Sequence, residues 1–178
     1  MSSMELIKKL RETTGSGMLD CKKALAENND DLDAAVKWLR EKGILKAQKK
    51  QDRETNEGVI SFYNHDTSLN SFSLCKIKCE TDFVAKNDDF LNFVQELSEI
   101  NNQCSSDIDK LNKSAMANGK TVEENLVALI AKIGEKITIG KRSTIENSNS
   151  QNFIYQHSVI KDNVSKLCVV VSIETSED

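Results

Sequence analysis

The sequence predicts an α+β protein with a three-helix bundle at residues 1–45, a charged linker at 46–57 and then an antiparallel sheet with packed helices. Apolar residues recur at helical spacing before the linker, whereas β-branched and aromatic runs appear after it. The charge divides in the same way, because residues 1–50 hold 11 Lys/Arg against 8 Asp/Glu and the remainder holds 13 against 20. A basic head on an acidic body indicates two modules.

Three apolar stripes predict the helices of the bundle. Gly15 and Gly17 separate the first helix from the second, since glycine takes positive φ at little cost, and Gly43 is placed to end the third. The stripes are Met4, Ile7 and Leu10; Met18, Cys21, Ala24 and Leu25; and Leu32, Ala35, Val36 and Leu39.

The body after the linker combines strands with two further helices. Apolar stripes begin at Phe90 and Leu126, after the N-terminal signals Asn87 and Thr121. A polar stretch at residues 64–71 suits a hairpin loop. The predicted strands are residues 59–63, 72–79, 137–145, 153–160 and 167–174.

The body is predicted to contain two halves of one core. Residues 58–136 form the N-terminal half, and residues 137–178 begin a second half that we expect to be incomplete. The run at 167–171, LCVVV, is typical of a strand buried on both faces. Such a strand needs covering neighbours, so we expect the chain either to self-associate there, as a homodimer, or to be less stable than a longer chain.

Composition narrows the function classes. The longest apolar run is far shorter than the roughly 18 residues of a spanning helix, and no charged-then-apolar leader opens the chain. We expect a cytoplasmic protein without membrane partners, whose five cysteines are reduced thiols. A net charge of −4 argues against phosphate-backbone binding, so no direct nucleic-acid partner is expected.

The residues that could carry catalysis form no recognisable constellation. Cys75 and Cys79 lack the second pair of ligands that a zinc knuckle requires. They are better interpreted as small hydrophobic residues in the core. A catalytic cysteine needs a histidine partner, and nothing in the sequence pairs either thiol with His65 or His157. We therefore expect no cofactor, no metal and no catalytic chemistry.

The segment at residues 80–87, ETDFVAKN, follows a predicted strand and precedes a predicted helix. Connections of this kind lie on the surface. Phe83 and Val84 either fold back into the local core or protrude as an apolar wedge beside the carboxylate of Asp82, suited to a partner's groove. The pattern alone leaves both alternatives open.

Two long motifs carry a family resemblance. Residues 13–25, TTGSGMLDCKKAL, and residues 79–86, CETDFVAK, closely resemble the two signatures of translation elongation factor Ts. Weaker matches at residues 133–135 and 155–157 extend the resemblance along the chain in the family's order. Members of this family are guanine nucleotide exchange factors for elongation factor Tu, and their N-terminal module is a ubiquitin-associated-like three-helix bundle.

The resemblance implies a role for the segment at 80–87. In the family, the Thr-Asp-Phe-Val tip enters the GTPase domain of the partner and dislodges magnesium from bound GDP. Carried over, that role falls on Thr81, Asp82, Phe83 and Val84. Reciprocity between nucleotide and exchange factor would then keep the complex transient.

The resemblance also implies partner contacts elsewhere. Met18, Leu19 and Lys22 are expected to face the GTPase domain of elongation factor Tu in its GDP-bound and nucleotide-free forms, although the spacing of Met18 to Cys21 would also suit burial. Tyr155 and His157 are expected to make secondary contacts with the partner's other domains. Members of the family commonly continue well past the point that corresponds to residue 178.

Two functions of other classes stay open beside nucleotide exchange. One is a non-enzymatic adaptor whose helical head binds ubiquitin-like folds or peptides. The other is a thiol enzyme that uses Cys75 or Cys79.

Overall fold

A computed structural model describes residues 3–64, 71–104, 107–146 and 150–174. The chain forms two compact units, Met1–Arg53 with Glu124–Lys136, and Glu54–Glu123 with Ile137–Asp178. The helices are α1 (Ser3–Thr14), α2 (Met18–Glu27), α3 (Leu32–Gln48), α4 (Asp82–Ala85), α5 (Asp88–Cys104), α6 (Ile108–Lys113) and α7 (Val122–Ile133). The strands are β1 (Glu57–Asn64), β2 (Ser71–Cys79), β3 (Thr138–Glu146), β4 (Ser150–Lys161) and β5 (Val164–Glu174).

The first unit contains the predicted three-helix bundle. Gly15 ends α1 in a left-handed conformation (φ +68°), and its N–H donates to the Arg11 carbonyl at 2.8 Å. The Asp31 side chain caps α3 by accepting from the Ala34 N–H at 3.0 Å. The buried core of the bundle consists of Leu6, Ile7, Leu10, Cys21, Ala24, Leu25 and Ala35. The predicted stripes of α1 and α2 therefore supply most of this core.

Gly43 does not end α3, contrary to the prediction, and the helix continues to Gln48. The glycine is buried, and a Cβ built on it would lie 3.6 Å from the side chain of Ala131 and 3.7 Å from that of Val127. Packing inside the unit therefore outweighs the cost of about 1 kcal/mol that glycine imposes on a helix. Residues 46–48 of the predicted linker belong to this helix.

The second unit is built on a five-stranded antiparallel sheet in the order β3-β2-β1-β5-β4. Every residue of β1 pairs with β2, from Glu57 opposite Cys79 to Asn64 opposite Phe72. The hairpin loop predicted at residues 64–71 falls largely outside the described residues. All five predicted strands are present in the sheet, which confirms the α+β fold class.

Strands from residues 58–136 and from residues 137–178 lie in one sheet. β3 pairs with β2, and β5 pairs with β1, so strands from both predicted halves share one sheet. Residues 124–136, which hold most of α7, cluster with the helical unit instead. The helical periodicity of the sequence predicted α7, but such periodicity does not indicate which unit a helix packs in.

Helix α5 covers the sheet of the second unit and supplies one side of its core. Residues at helical spacing on α5 are buried, and the rings of Phe62 and Phe72 in β1 and β2 lie 5.8 Å apart. The buried α5 side chains include Phe90, Leu91, Phe93, Val94 and Leu97. None of the described helices is both long and apolar enough for a membrane crossing.

The prediction that residues 167–171 are buried on both faces is wrong. Leu167, Val169 and Val171 are exposed, whereas Cys168 and Val170 between them are partly buried. β5 pairs with β1 only at Ser165 and Val164, so the remainder of the strand is not flanked by β1. The apolar run at residues 167–171 therefore belongs to a strand with one face exposed to solvent.

Candidate functional site

The candidate site of the second unit is the connection between β2 and α5, which contains the four-residue helix α4. The Thr81 hydroxyl caps this helix by accepting from the Val84 N–H at 3.4 Å. The buried Cys79 thiol donates to the Thr81 carbonyl at 3.2 Å. On the other side, the Asn87 side chain accepts from the N–H of Asp89 at 3.0 Å and so caps α5. Both ends of the connection are thus fixed by hydrogen bonds.

Phe83 and Val84 have opposite environments. The Phe83 side chain is 82% exposed, whereas Val84 is 7% exposed and Ala85 is fully buried. The two alternatives left open by the sequence are therefore each realised by one residue. Phe83 protrudes into solvent, and Val84 anchors the helix in the core.

A charged pair flanks the phenylalanine. The Lys86 ammonium lies 3.0 Å from the Asp82 carboxylate, one helical turn away. The hydrogen bond from Lys86 and its charge hold the pKa of Asp82 below its ordinary value, with a smaller contribution from the charge of Lys166. The surface around Phe83 therefore presents an aromatic ring, an ionised carboxylate and an ammonium to any partner.

The first unit presents its own apolar surface at the start of α2. Leu19 is 82% exposed and Met18 is 51% exposed, and Lys22 on the next turn is exposed as well. The spacing of Met18 to Cys21 would have allowed both side chains to be buried. Of the two, Cys21 is buried in the bundle and Met18 is exposed. The three residues predicted for this unit thus lie on the surface, near the start of one helix.

Tyr155 and His157 lie on the exposed face of β4. The Tyr155 hydroxyl and His157 Nδ1 share a hydrogen bond of 2.9 Å, and the two rings are 6.0 Å apart. They sit within a larger surface that the sequence analysis missed, which we name the apolar strip. It consists of Phe153, Tyr155, Val159, Leu167, Val169, Val171 and Ile173. The run at 167–171 is apolar at every position, so the sequence held no alternation that could have revealed this surface.

The thiols are poorly placed for nucleophilic chemistry. All five cysteines lie among the described residues, and each is a thiol. Burial raises the pKa of Cys75 to about 12, so the thiolate is scarce at neutral pH. Burial also raises the pKa of Cys21 and of Cys168. Within the described ranges, no cluster of three or more His, Cys, Asp or Glu residues could hold a metal ion.

Comparison with known families places the chain in a family of translation factors. Residues 80–178 match the family model described as elongation factor TS. Residues 1–50 match a model described as elongation factor Ts, mitochondrial, N-terminal. The first match covers more than half of the chain, so the chain belongs to the elongation factor Ts family.

Individual relatives match nearly the whole chain. Elongation factor Ts of Rhodospirillum centenum is 39% identical over 177 residues, which are 99% of this chain and 57% of that protein. The Rhodospirillum rubrum protein is 37% identical over 97% of this chain and 56% of its own length. The Bartonella tribocorum protein is 40% identical over 96% of this chain and 55% of its own. The chain thus spans a little over half the length of these relatives.

Proposed function

We propose that this protein is a guanine nucleotide exchange factor for elongation factor Tu. It binds the GDP-bound form, promotes the release of GDP and leaves when GTP binds. Membership of the elongation factor Ts family supports the partner and the translational role. The observation that carries the proposal is the exposure of Phe83 on a connection that is fixed at both ends.

Phe83 has the properties of a binding anchor. Burying a phenylalanine side chain is worth about 2 kcal/mol. Because the Phe83 side chain is 82% exposed in this protein, most of this free energy is available for binding in a partner's groove. Because Thr81 and the buried Val84 hold the backbone, little conformational entropy is lost when the ring enters a groove. Aromatic residues in such positions dominate the free energy of binding at many interfaces.

The proposed mechanism uses the sensitivity of magnesium coordination in the partner. Magnesium demands near-ideal octahedral geometry, so a small displacement of its surroundings by the inserted Phe83 ring weakens the binding of the metal and of GDP. The coupling is reciprocal, and GTP therefore expels the factor. This mechanism needs no catalytic chemistry by the factor.

The first unit supplies a second contact in this proposal. Met18 and Leu19 form an exposed apolar pair at the start of α2, and Lys22 adds a charge on the next turn. Such a pair fits an apolar depression on the GTPase domain. Tyr155 and His157, on the exposed face of β4, supply secondary contacts with the partner's other domains.

The experiment is a stopped-flow measurement of fluorescent GDP release from elongation factor Tu with excess unlabelled GDP. We expect substoichiometric amounts of the protein to accelerate release over many turnovers. Removing magnesium with EDTA should itself speed release and should reduce the additional acceleration by the factor. A complex that forms without accelerating release would instead support the adaptor function. An acceleration that EDTA leaves unchanged would contradict the magnesium mechanism.

A further inference from the structure

A small pocket of the second unit lies between α5 and the turn that joins β4 to β5. Its volume is about 100 Å3, and the residues that line it come from β1, α5, this turn and the start of β5. Sites for whole cofactors and substrates usually measure roughly 300–1,000 Å3. The pocket can therefore hold the end of one side chain or a single small functional group.

The walls of the pocket are fixed by hydrogen bonds. The carbonyl of Asn163, a turn residue in the left-handed conformation (φ +61°), accepts from the Phe62 N–H at 2.8 Å. The side-chain amide of Gln95 donates to the Asp162 carbonyl at 3.3 Å. The turn is thus tied to both β1 and α5, so little has to be ordered when a ligand binds.

One buried polar group at the pocket lacks a partner. Ser98 lines the pocket and is 4% exposed, and its Oγ makes no hydrogen bond within the described ranges. Buried polar atoms are nearly always hydrogen-bonded, because leaving one unpaired is unfavourable. A ligand that donates a hydrogen bond to this oxygen would satisfy it.

The charge of the lining selects a cation. Glu99 of α5 and Asp162 of the turn both line the pocket, and none of the described lining residues is Lys, Arg or His. Lys161, which precedes Asp162 in the sequence, is engaged elsewhere, because its ammonium lies 2.8 Å from the Asn92 side-chain oxygen. The two carboxylates therefore favour a positively charged ligand.

We propose that the pocket binds a guanidinium group. This group is planar and has five N–H donors, which suits the carboxylates, the Ser98 hydroxyl and the Gln95 amide oxygen of the lining. It also stacks on aromatic rings, and Phe62 and Tyr63 belong to the lining. The group belongs either to an arginine side chain of a polypeptide or to a small free guanidine. This inference does not rest on the proposed nucleotide exchange.

The test is a titration of the full chain, followed by two-dimensional NMR at constant ionic strength, with methylguanidinium and methylammonium chloride as matched probes. We expect methylguanidinium to shift the backbone amide signals of Ser98, Glu99 and Asn163 to saturation. Methylammonium should bind at least about threefold more weakly, because it is more strongly hydrated and has fewer donors.

Two variants locate the binding. Glu99→Gln removes one carboxylate charge and should weaken the binding of methylguanidinium by about threefold or more. Glu123→Gln is the matched control, because it makes the same chemical change at an exposed glutamate outside the pocket. This variant should bind methylguanidinium as the wild type does.

Two further ligands identify the source of the guanidinium. Arginine blocked at both termini represents a side chain within a polypeptide, and agmatine represents a free guanidine. Saturable binding of either ligand at the same signals supports the proposal, and the tighter of the two names the source.

Three results would overturn the proposal. One is a set of shifts that grow linearly without saturation, and another is binding that Glu99→Gln leaves unchanged. The third is methylammonium binding as tightly as methylguanidinium. Release of GDP from elongation factor Tu is measured in a separate assay, so failure of the proposed function would not be mistaken for failure of this site.

Discussion

Phe83 and Val84 are consecutive residues of a single helical turn, yet one is exposed to solvent and the other is in the core. The turn is too short to have an apolar stripe, so its apolar residues are divided between solvent and core. This division separates binding from stability at neighbouring positions.

Phe83→Ala should slow GDP exchange at least tenfold, because the ring supplies the proposed anchor. The free energy of unfolding should change by less than about 0.5 kcal/mol, as is usual for an exposed side chain. Val84→Ala should instead destabilise the protein by about 2 kcal/mol through a small cavity. Stopped-flow exchange and urea unfolding measure the two effects. Unchanged exchange by Phe83→Ala would contradict the anchor, and a loss of about 3 kcal/mol would place Phe83 in the core.

The pair of Asp82 and Lys86 makes a prediction for acid titration. Because the pKa of Asp82 is lowered in the folded protein, the pair stabilises the fold above the ordinary carboxyl pKa, and this contribution is lost as the pH falls through the lowered value. Lys86→Met should raise the pKa of Asp82 towards its ordinary value, as followed by carbon NMR of the carboxyl group. Lys166→Met should raise it less. A larger effect at Lys166 would show that the 3.0 Å contact does not persist in solution.

Gly58 in β1 should be intolerant of a side chain. Its φ of +149° is rare for other residues, and a Cβ there would overlap the carbonyl oxygen of Ile77 on β2. Gly58→Ala should therefore reduce the free energy of unfolding by about 3 kcal/mol. Gly119→Ala is the control, since Gly119 also has positive φ but open space around it, and should cost about 1 kcal/mol. Equal losses in thermal or urea unfolding would rule out the overlap.

Leu19 gives the corresponding prediction for the helical unit. Leu19→Ala should weaken binding to nucleotide-free elongation factor Tu by about fivefold or more, because an exposed apolar side chain is removed from the proposed contact. The thermal stability of the Leu19→Ala variant should stay unchanged. Leu25→Ala, on the buried side of the same helix, should instead lower stability by about 3 kcal/mol. Wild-type affinity in calorimetry for Leu19→Ala would exclude this surface from the interface.

The sequence predicted the elements of the fold well where local signals decide the structure. Gly15 ends a helix because its backbone takes positive φ, and the cap at Asn87 rests on a side chain next to the groups that it binds. Gly43 shows the limit of such signals. Whether a glycine ends a helix or packs within one depends on contacts with residues far along the chain, here Val127 and Ala131.

The candidate site was predictable in position but not in the role of each residue. A resemblance located the segment at 80–87, but only the three-dimensional structure separates Phe83 from Val84. The apolar strip was missed for a related reason. The run at 167–171 is apolar at every position, so its composition could not reveal that alternate residues face solvent. The exposure of these β5 residues depends on the neighbouring strands, because β4 pairs with β5 along most of its length and β1 pairs with it only at Ser165 and Val164.

The position of β1 at the centre of the sheet has a consequence for the order of folding. Its pairing with β2 joins near neighbours in sequence, whereas its pairing with β5 links Ile60 and Ser61 to Ser165 and Val164. Contacts of such high sequence separation form late, because a long loop must close first. During synthesis, one edge of β1 therefore stays without its β5 partner until Val164 and Ser165 have left the ribosome. An unpaired strand edge invites aggregation, so the nascent protein is vulnerable at this edge until β5 emerges.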